Sequence, residues 1–445
     1  MSVGGGRALP GRLRARTAAP TGALAWYGLM IFTFCFVTAR LPELFTEIGI
    51  YLALLGLVFQ PQGLSFPTPL RWALAFLLWA MVTAAVAIDP PTAWPVLVER
   101  LKALVIFFVV VNTVRTSQQL RWYILVILLA FVIYPARGTL LNYVTGNTLV
   151  GRAIWNKMYS NPNDLGAIAL LMLGLALAVA TVKTQDIRIR RAAAVLVPVT
   201  LLIILLTQSR GVFLGLLVGF GPAVLRRLRK RPSGLGPVLL VVAIIAVLVP
   251  GAAWHRLQGI TKLTSIESGA QTERERHPSE PTNRLDRLAS DSAQQRFDIL
   301  RTGWHIFTSH PVTGVGIGCY NEANARYTPE LGARDAHNTY IHLAAEMGVP
   351  GLLLWLGLVG SVLAQVRRVR TRLEADDRTI QVLWIERATI AYLIAAIFAS
   401  YSGLTMFYLF LGTLWAATNV LGRDEPAPTA VAPRAVPGRR ALRAG

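Results

Sequence analysis

Charge and cysteine are both scarce in this chain. Only 15% of its 445 residues are charged, and two residues are cysteine. Soluble globular proteins carry about a quarter charged residues, so the scarcity of charge argues against a soluble protein. Cys35 lies inside an apolar block and Cys319 lies between two blocks, so we expect both thiols to be unpaired. Neither a disulfide framework nor a zinc site follows from them.

Apolar residues are abundant and come in long blocks. They make up 54% of the chain and give it a mean hydropathy of +0.49. The blocks are roughly twenty residues long, which is enough for a helix to cross a hydrocarbon layer of about 30 Å. The blocks at 165–182 and 237–249 have no polar face, whereas the helices of a soluble protein carry one. We therefore predict an all-α, polytopic membrane protein.

Lys and Arg residues set the expected orientation of the spans. They cluster in alternate connections, for example at 183–191, 226–231 and 367–378, and connections of this kind are cytoplasmic. This asymmetry explains most of the formal charge of +21 without nucleic acid as a partner, and it predicts that both termini are cytoplasmic. The predicted spans, about twelve in number, are near 23–40, 43–60, 70–88, 103–115 with its flanks, 120–136, 164–182, 192–208, 211–225, 236–253, 349–366, 387–402 and 403–421.

The spans divide the chain into five parts. We predict a basic cytoplasmic arm at 1–22, nine spans within 23–253, a long external loop at 254–348, three spans within 349–421 and a cytoplasmic tail at 422–445. The arm shows no cleavage site after a short apolar stretch, so we expect it to be retained. The tail is rich in Pro, Ala and Arg, a composition typical of disorder.

Two helices are predicted within the long loop. The first covers 292–309 and ends before Pro311, because proline disfavours helical geometry in the residue before it. The second begins near Asn338, in a segment that can cap it, and runs through Met347, with Gly348 leading into the next span. The apolar residues expected on one side of the first helix are Phe297, Leu300, Trp304, Ile306 and Phe307.

All six histidines of the chain lie in the long loop. Histidine is the usual proton carrier near neutral pH, although extramembrane segments hold most polar residues in any case. His337 and His342 are five positions apart, so they do not share a helix face as metal ligands at i and i+4 would. The chain also lacks an Asp-x-Asp pair, a common carboxylate arrangement for a divalent ion. We therefore favour a site without a metal.

Several arginines sit at the outer ends of the predicted spans. Arg210 lies at the junction of two spans, Arg137 and Arg152 flank an external connection ahead of Asn163, and Arg296 lies on the loop helix. An arginine fork stays charged and binds phosphate oxygens in pairs, so several forks can neutralise a diphosphate. Extension of the Arg210 side chain to lipid headgroups is the structural alternative, and it remains open at this point.

Three groups of short motifs follow one another along the chain. They are Ser209-Arg210-Gly211; Arg296 ahead of His310-Pro311 and Gly314-Val315-Gly316; and His337-Asn338-Thr339-Tyr340 with Glu346-Met347-Gly348 and Gly351. In this order, and with the layout of about twelve spans and one large late loop, they resemble the O-antigen ligase and polymerase superfamily.

The resemblance implies a membrane glycosyltransferase that needs no metal or other cofactor. It implies an undecaprenyl-diphosphate-linked glycan as donor, a lipid A–core acceptor and a periplasmic site on the bacterial inner membrane. In the family pattern His337 matches the general base, and Arg210 and Arg296 match the arginines that hold the diphosphate. Charge and location add Arg137 and Arg152 to the diphosphate set, and Asn163 and Asn338 as further substrate-binding candidates.

Other functions share much of this pattern. A polymerase of the same superfamily uses the same donor with a second lipid-linked glycan as acceptor, and a protein O-glycan ligase uses an exported protein. We favour the ligase because the chain has one dominant late loop. A transporter of lipid-linked glycans is the alternative from a different class, but it predicts charged residues within the spans, and the predicted spans are almost uncharged.

Overall fold

The chain folds as helices, as its sequence predicts. A computed structural model describes residues 22–61, 63–183, 185–230, 284–330, 332–372 and 377–423, without the side chains of 284–296 and of a few residues at helix ends. In this part of the chain there is no β-strand, only an isolated bridge between Leu149 and Arg152. The prediction of an all-α, polytopic membrane protein is confirmed.

Fourteen α-helices lie in the described residues. A π-helical segment, Val132–Ala136, joins the fifth helix to the sixth. The helices are α1 Ala23–Thr38, α2 Glu43–Val58, α3 Thr68–Ala85, α4 Pro90–Thr113, α5 Ser117–Phe131, α6 Arg137–Val144, α7 Pro162–Thr181, α8 Ile187–Leu206, α9 Arg210–Lys230, α10 Arg284–Ser309, α11 Tyr320–Tyr327, α12 Thr339–Arg372, α13 Asp377–Ala395 and α14 Thr405–Arg423.

Seven helical segments in the described residues are long and apolar enough to cross a membrane by length and composition. A helix lies at each predicted span except 236–253, which falls outside the described residues. The total of twelve spans therefore stays a prediction. Loop residues 254–283 and nearly all of the predicted arm and tail also lie outside the described residues.

Two helices differ clearly from the predicted spans. The span predicted at 120–136 continues as helix to Val144, so Arg137 lies within a helix rather than in an external connection. The span predicted at 387–402 is instead α13, which begins at Asp377. Its charged residues looked like a terminus in the sequence, but Glu386 pairs with Arg370 of α12 and both are largely shielded from solvent.

Six connections meet at one end of the bundle, which we call the loop end. Hydrogen bonds join them: Ile88 donates to Val315, Ala153 to Leu206, and the Tyr159 hydroxyl to Val37. The helices α7 and α14 are the most buried of the candidate spans, and residues 396–404 connect α13 to α14 at this end. The loop end consists of residues 39–42, 86–89, 145–161, 207–209, 310–330 with 332–338, and 396–404.

The long loop contains both predicted helices, with one correction. The first ends at Ser309 as expected, but its buried face carries Ile299 and Ile306, while Phe297 and Trp304 are exposed. The apolar residues therefore do not share one side. Ile306 points inward because the helix lies on α12, where Gly303 packs closely against Ile341.

A kink at Gly348 separates the second loop helix from the span that follows it. Gly348 has φ +67° and ψ −171°, a conformation that is essentially restricted to glycine. Val349 donates to the Pro311 carbonyl at 2.8 Å, and Trp79 of α3 donates to the Met347 carbonyl at 2.8 Å. These bonds satisfy backbone groups at the break and hold the first turns of α12 against the loop.

Candidate functional site

His337 lies immediately before α12 in a strained backbone conformation. Its φ is +49°, which is uncommon for a residue other than glycine and is found disproportionately at functional sites. The next residue, Asn338, caps the helix, since its Oδ1 accepts from the backbone of Tyr340 at 2.9 Å and of Ile341 at 3.0 Å. The predicted cap is thus confirmed. Because Asn338 fixes the first turn of α12, the partly exposed His337 ring is held at the rim of the bundle.

A row of acidic and imidazole side chains runs inward from His337. Its Nδ1 faces Asp335 Oδ2 at 3.8 Å, and the other oxygen of Asp335 faces His342 Nδ1 at 3.6 Å. His342 Nε2 lies 2.9 Å from Glu346 Oε1, one helical turn further along α12. Glu346 is only 3% exposed. The row connects a solvent-accessible imidazole to a buried carboxylate.

The glycine-rich turn at 314–318 fixes the buried end of this row. Gly316 donates to the Glu346 carbonyl at 2.9 Å, and Tyr320 donates its backbone N–H to Glu346 Oε1 at 3.3 Å. A Cβ at Gly316 would collide with Ala87 in the connection between α3 and α4, which explains glycine at this position. The turn therefore holds the Glu346 carboxylate and locks the long loop onto the spans.

The connection at 396–404 joins the His337 segment to α7. Thr339 Oγ1 donates to the Ala399 carbonyl at 2.7 Å and accepts from the backbone of Tyr401 at 2.8 Å. The Tyr401 hydroxyl in turn donates to the Asn163 carbonyl at 2.9 Å. Asp164 lies close enough to Asp335 for their charges to interact. Residues from three distant parts of the sequence thus meet at the loop end.

Arg152 is built into the same network. Its Nε donates to the Thr207 carbonyl at 2.8 Å and its Nη2 to Asn163 Oδ1 at 2.7 Å. Gln208, beside Thr207, has φ +50° and donates to the Gly151 carbonyl at 2.9 Å. These bonds fix the guanidinium between α7 and the start of α9, where the partly buried Arg210 begins the helix.

The remaining predicted site residues are not tied to the His337 network by contacts among the described residues. Arg137 is exposed on α6, and no hydrogen bond among the described residues ties it to the His337 network. Arg296 lies on α10, but its side chain is outside the described residues. The structure therefore brings His337, Asn338, Arg152 and Asn163 together, and places Arg210 at the adjacent start of α9.

Arg100 is a site residue that the sequence reasoning missed. It lies in α4, is only 7% exposed, and donates from Nη1 to the Ser402 carbonyl at 2.5 Å. Its charge acts on both His342 and Glu346. The dipeptide Glu99-Arg100 is visible in the sequence, in the flank of the span predicted at 103–115, but nothing local distinguishes its arginine from other charges at the end of a span.

Burial changes the acidity of two groups beside the row. It raises the pKa of the Cys319 thiol to about 11 and raises the pKa of the Tyr320 hydroxyl. Both groups therefore stay protonated near neutral pH. Cys319 and Cys35 are both unpaired and buried, which confirms the expectation for the two cysteines. In the described residues, no set of three His, Cys, Asp or Glu side chains is placed to share a metal ion.

The arrangement supplies an accessible imidazole next to a carboxylate, with a guanidinium held nearby at the same end of a membrane bundle. The family model described as O-Antigen ligase matches residues 193–356, from α8 into α12, and the match includes Arg210, Arg296 and His337. No curated protein matches the chain. Over residues 193–356 the chain is therefore similar to the O-antigen ligase family, whose members are membrane ligases and polymerases of the glycosyltransferase type.

Proposed function

We propose that this protein is an O-antigen ligase. It transfers a polysaccharide from undecaprenyl diphosphate to lipid A–core, the step that completes lipopolysaccharide. In this proposal both termini lie in the cytoplasm of the bacterium and the loop end faces the periplasm across the inner membrane. The observation that carries the proposal is the pairing of His337 with Asp335, joined through Thr339, Tyr401 and Asn163 to Arg152.

His337 is the general base of the proposed reaction. A neutral imidazole with its proton on Nδ1, towards Asp335, presents its Nε2 lone pair to a sugar hydroxyl of the acceptor. As Nε2 takes the proton, the hydroxyl oxygen attacks the anomeric carbon of the donor, and the bond to the diphosphate oxygen breaks. The Asp335 carboxylate stabilises the imidazolium that forms. General-base catalysis of this kind contributes about 10²–10⁴ to the rate.

The arginines stabilise the leaving group. The diphosphate gains negative charge as the glycosidic bond breaks, so cations placed around it lower the energy of the transition state more than that of the bound donor. Arg152, fixed by Thr207 and Asn163, is the best-positioned candidate, with Arg210 at the neighbouring start of α9. Arg296 and Arg137 complete the proposed set, and Asn163 and Asn338 contact the sugars. One direct displacement inverts the anomeric carbon, and no metal is required.

The acceptor decides between the possible activities of this site. A polymerase or a protein O-glycan ligase would use His337 and the arginines in the same way, so these residues support transfer from a lipid diphosphate in general. The one dominant late loop, predicted at 254–348, favours the ligase. A transporter would need access to its cargo from both faces, whereas the candidate residues gather at the loop end.

Reconstitution of the purified protein separates these activities. The reaction contains undecaprenyl-diphosphate glycan, lipid A–core and EDTA, and the products are separated by gel electrophoresis. A ligase shifts the core into polysaccharide-bearing bands. Lengthening of the lipid-linked glycan alone identifies a polymerase, and no change in either substrate, with donor binding demonstrated, overturns both assignments. Loss of activity in EDTA that Mg²⁺ restores would contradict the metal-free mechanism.

A further inference from the structure

Arg100 contacts the Ser402 carbonyl and the Tyr408 hydroxyl, but among the described residues no carboxylate pairs with its charge. The side chain is buried, yet in the described residues its guanidinium forms no salt bridge, and its Nε has no hydrogen-bond partner. Glu346 acts on it from a distance, but that carboxylate is already bonded to His342. A buried cation without a paired anion is costly, so a site of this kind is expected to receive an anionic ligand.

Arg100 lines an open cavity on the side of the bundle. The cavity has a volume of about 450 Å³, within the usual range for ligand sites, and it lies between α4 and the connection at 396–404. Among the described residues, Arg100 is the only cationic one in its lining. The lining residues are Pro95, Val96, Val98, Glu99, Arg100 and Gly403.

The side chains on the surface of α4 place the cavity at the level of the lipid headgroups in the proposed topology. Glu99 and Lys102 are both exposed on α4 and pair at 2.7 Å, and exposed charges on a helix of a membrane bundle require water or headgroups around them. Trp94, one turn nearer the loop end than Val98, is 50% exposed, as expected of an aromatic residue at a membrane interface. Val98 lines the cavity and is itself 45% exposed. A ligand can therefore enter from the lipid side.

This cavity is separate from the Arg152 side of the site. Two consecutive residues of the 396–404 connection point to different helices: the Tyr401 hydroxyl bonds to Asn163 of α7, and the Ser402 carbonyl accepts from Arg100 of α4. Arg152 binds the same Asn163. The two guanidinium groups thus stand on different sides of this connection, and the row from His337 to Glu346 ends near Arg100.

We propose that the Arg100 cavity binds a phosphate of a second membrane-anchored substrate, the phosphorylated glycolipid acceptor. The inference rests on the proposed transfer between two lipid-borne substrates, in which the Arg152 side holds the diphosphate of the donor. Two anionic lipids that react with each other need two cationic sites at headgroup level. Occupation of the cavity places the acceptor beside the row that leads to His337 and supplies the anion that Arg100 lacks.

Binding to the full-length protein in nanodiscs tests this without requiring turnover. Retention of lipid A–core that carries its phosphates is compared with retention of the same lipid after phosphatase treatment, by native mass spectrometry. We expect the wild type to prefer the phosphorylated form, and Arg100→Gln to weaken its binding by about tenfold or more with little effect on the dephosphorylated form. Glu99→Gln removes a negative charge from the same cavity and should strengthen binding by about threefold.

Arg188→Gln is the control, because it removes one positive charge from an exposed residue at the opposite end of the bundle, away from the cavity. It should leave the affinity for phosphorylated lipid A–core within about twofold. Arg100→Gln also loses the bond to the Ser402 carbonyl, so the variant could fail to fold. Glu99→Gln changes only an exposed residue and therefore tests the cavity in a protein whose buried contacts are intact. Equal binding of both lipid forms by the wild type overturns the proposal, whether or not the protein proves to be a ligase.

Two further outcomes decide the source of the phosphate. Loss of undecaprenyl-diphosphate binding in Arg100→Gln, with unchanged acceptor binding, would assign the cavity to the donor and overturn the proposal. Displacement of lipid A–core by equimolar phosphatidylglycerol would show that the cavity holds a bulk lipid headgroup, which also overturns it. If the acceptor preference holds while transfer to lipid A–core fails, the cavity assignment stands and the proposed function fails.

Discussion

Asp335 lies between two imidazole rings, with its Oδ2 3.8 Å from His337 Nδ1 and its Oδ1 3.6 Å from His342 Nδ1. The His337 side chain is more exposed to solvent than the His342 side chain. Asp335 is thus placed to orient the outer imidazole, while His342 lies on its inner side and bonds through Nε2 to Glu346. This geometry assigns a positioning role to Asp335 and a proton-accepting role to His337.

The positioning role of Asp335 can be measured. Asp335→Asn should lower kcat by about 10- to 100-fold, because an amide no longer stabilises the imidazolium, and a charge-assisted interaction is worth about 1.5–3 kcal/mol. The Kd for the donor, measured separately, should stay within about twofold, since Asp335 does not contact the diphosphate in our account. A parallel loss of donor binding and of thermal stability would indicate a purely structural residue instead.

Arginine geometry should matter more than charge at position 152. Arg152 reaches Thr207 and Asn163 with two different nitrogens, at 2.8 and 2.7 Å, and a lysine cannot make both bonds. We expect Arg152→Lys to weaken donor binding by about tenfold, measured with a labelled undecaprenyl-diphosphate glycan. Arg210→Lys should also weaken donor binding, because a lysine lacks the fork of a guanidinium. Arg188→Gln, an exposed arginine at the opposite end of the bundle, is the control and should bind normally.

The kink before the tenth predicted span should be sensitive to a single methyl group. Gly348→Ala places a Cβ against the Val312 carbonyl in a conformation that L-residues avoid, so we expect destabilisation of about 1–3 kcal/mol. The control is Gly360→Ala on the same helix, where an added Cβ meets open space and should stabilise by up to about 1 kcal/mol. Thermal unfolding in detergent compares the two. Equal melting temperatures for both variants would show that the kink carries no strain.

Cysteine labelling reports on the packing of the loop against the spans. Because burial shields Cys319 and raises its pKa to about 11, both native cysteines should resist a maleimide at pH 7.5 and react only after denaturation. Ser309→Cys, which places a thiol on an exposed residue at the end of α10, should label within minutes under the same conditions. Rapid labelling of the native protein at Cys319 would mean that the turn at 314–318 does not stay docked.

The helices and the catalytic candidates were largely predictable from the sequence, because both depend on local patterns. Apolar block length indicates the spans, and Asn338 at the start of α12 follows the ordinary preference for a capping residue. The site itself depends on contacts between residues far apart in the chain. Arg100 and Ser402 are 302 positions apart, and nothing in one sequence pairs them. The same holds for Tyr401 and Asn163, which are 238 positions apart.

Charge misled the sequence reasoning in two helices for a physical reason. Charged residues usually mark the end of a span, because they are costly in lipid. In α13 the Glu386 carboxylate is instead paired with Arg370, and in α4 the buried Arg100 bonds to a backbone carbonyl. Tertiary contacts therefore allow helices to continue through charges. Residues 396–402, assigned to a span, form instead the connection that carries Tyr401 and Ser402 into the site.

Single-turnover transfer by wild type and His337→Ala tests the central claim most directly. Donor-loaded protein is mixed with lipid A–core at equal amounts of folded protein, and donor occupancy is measured in the same samples. Our account predicts equal occupancy and a transfer rate about 10²–10⁴ lower for His337→Ala, because only the proton acceptor is lost. Transfer by His337→Ala at the wild-type rate would contradict the assignment of His337 as the general base.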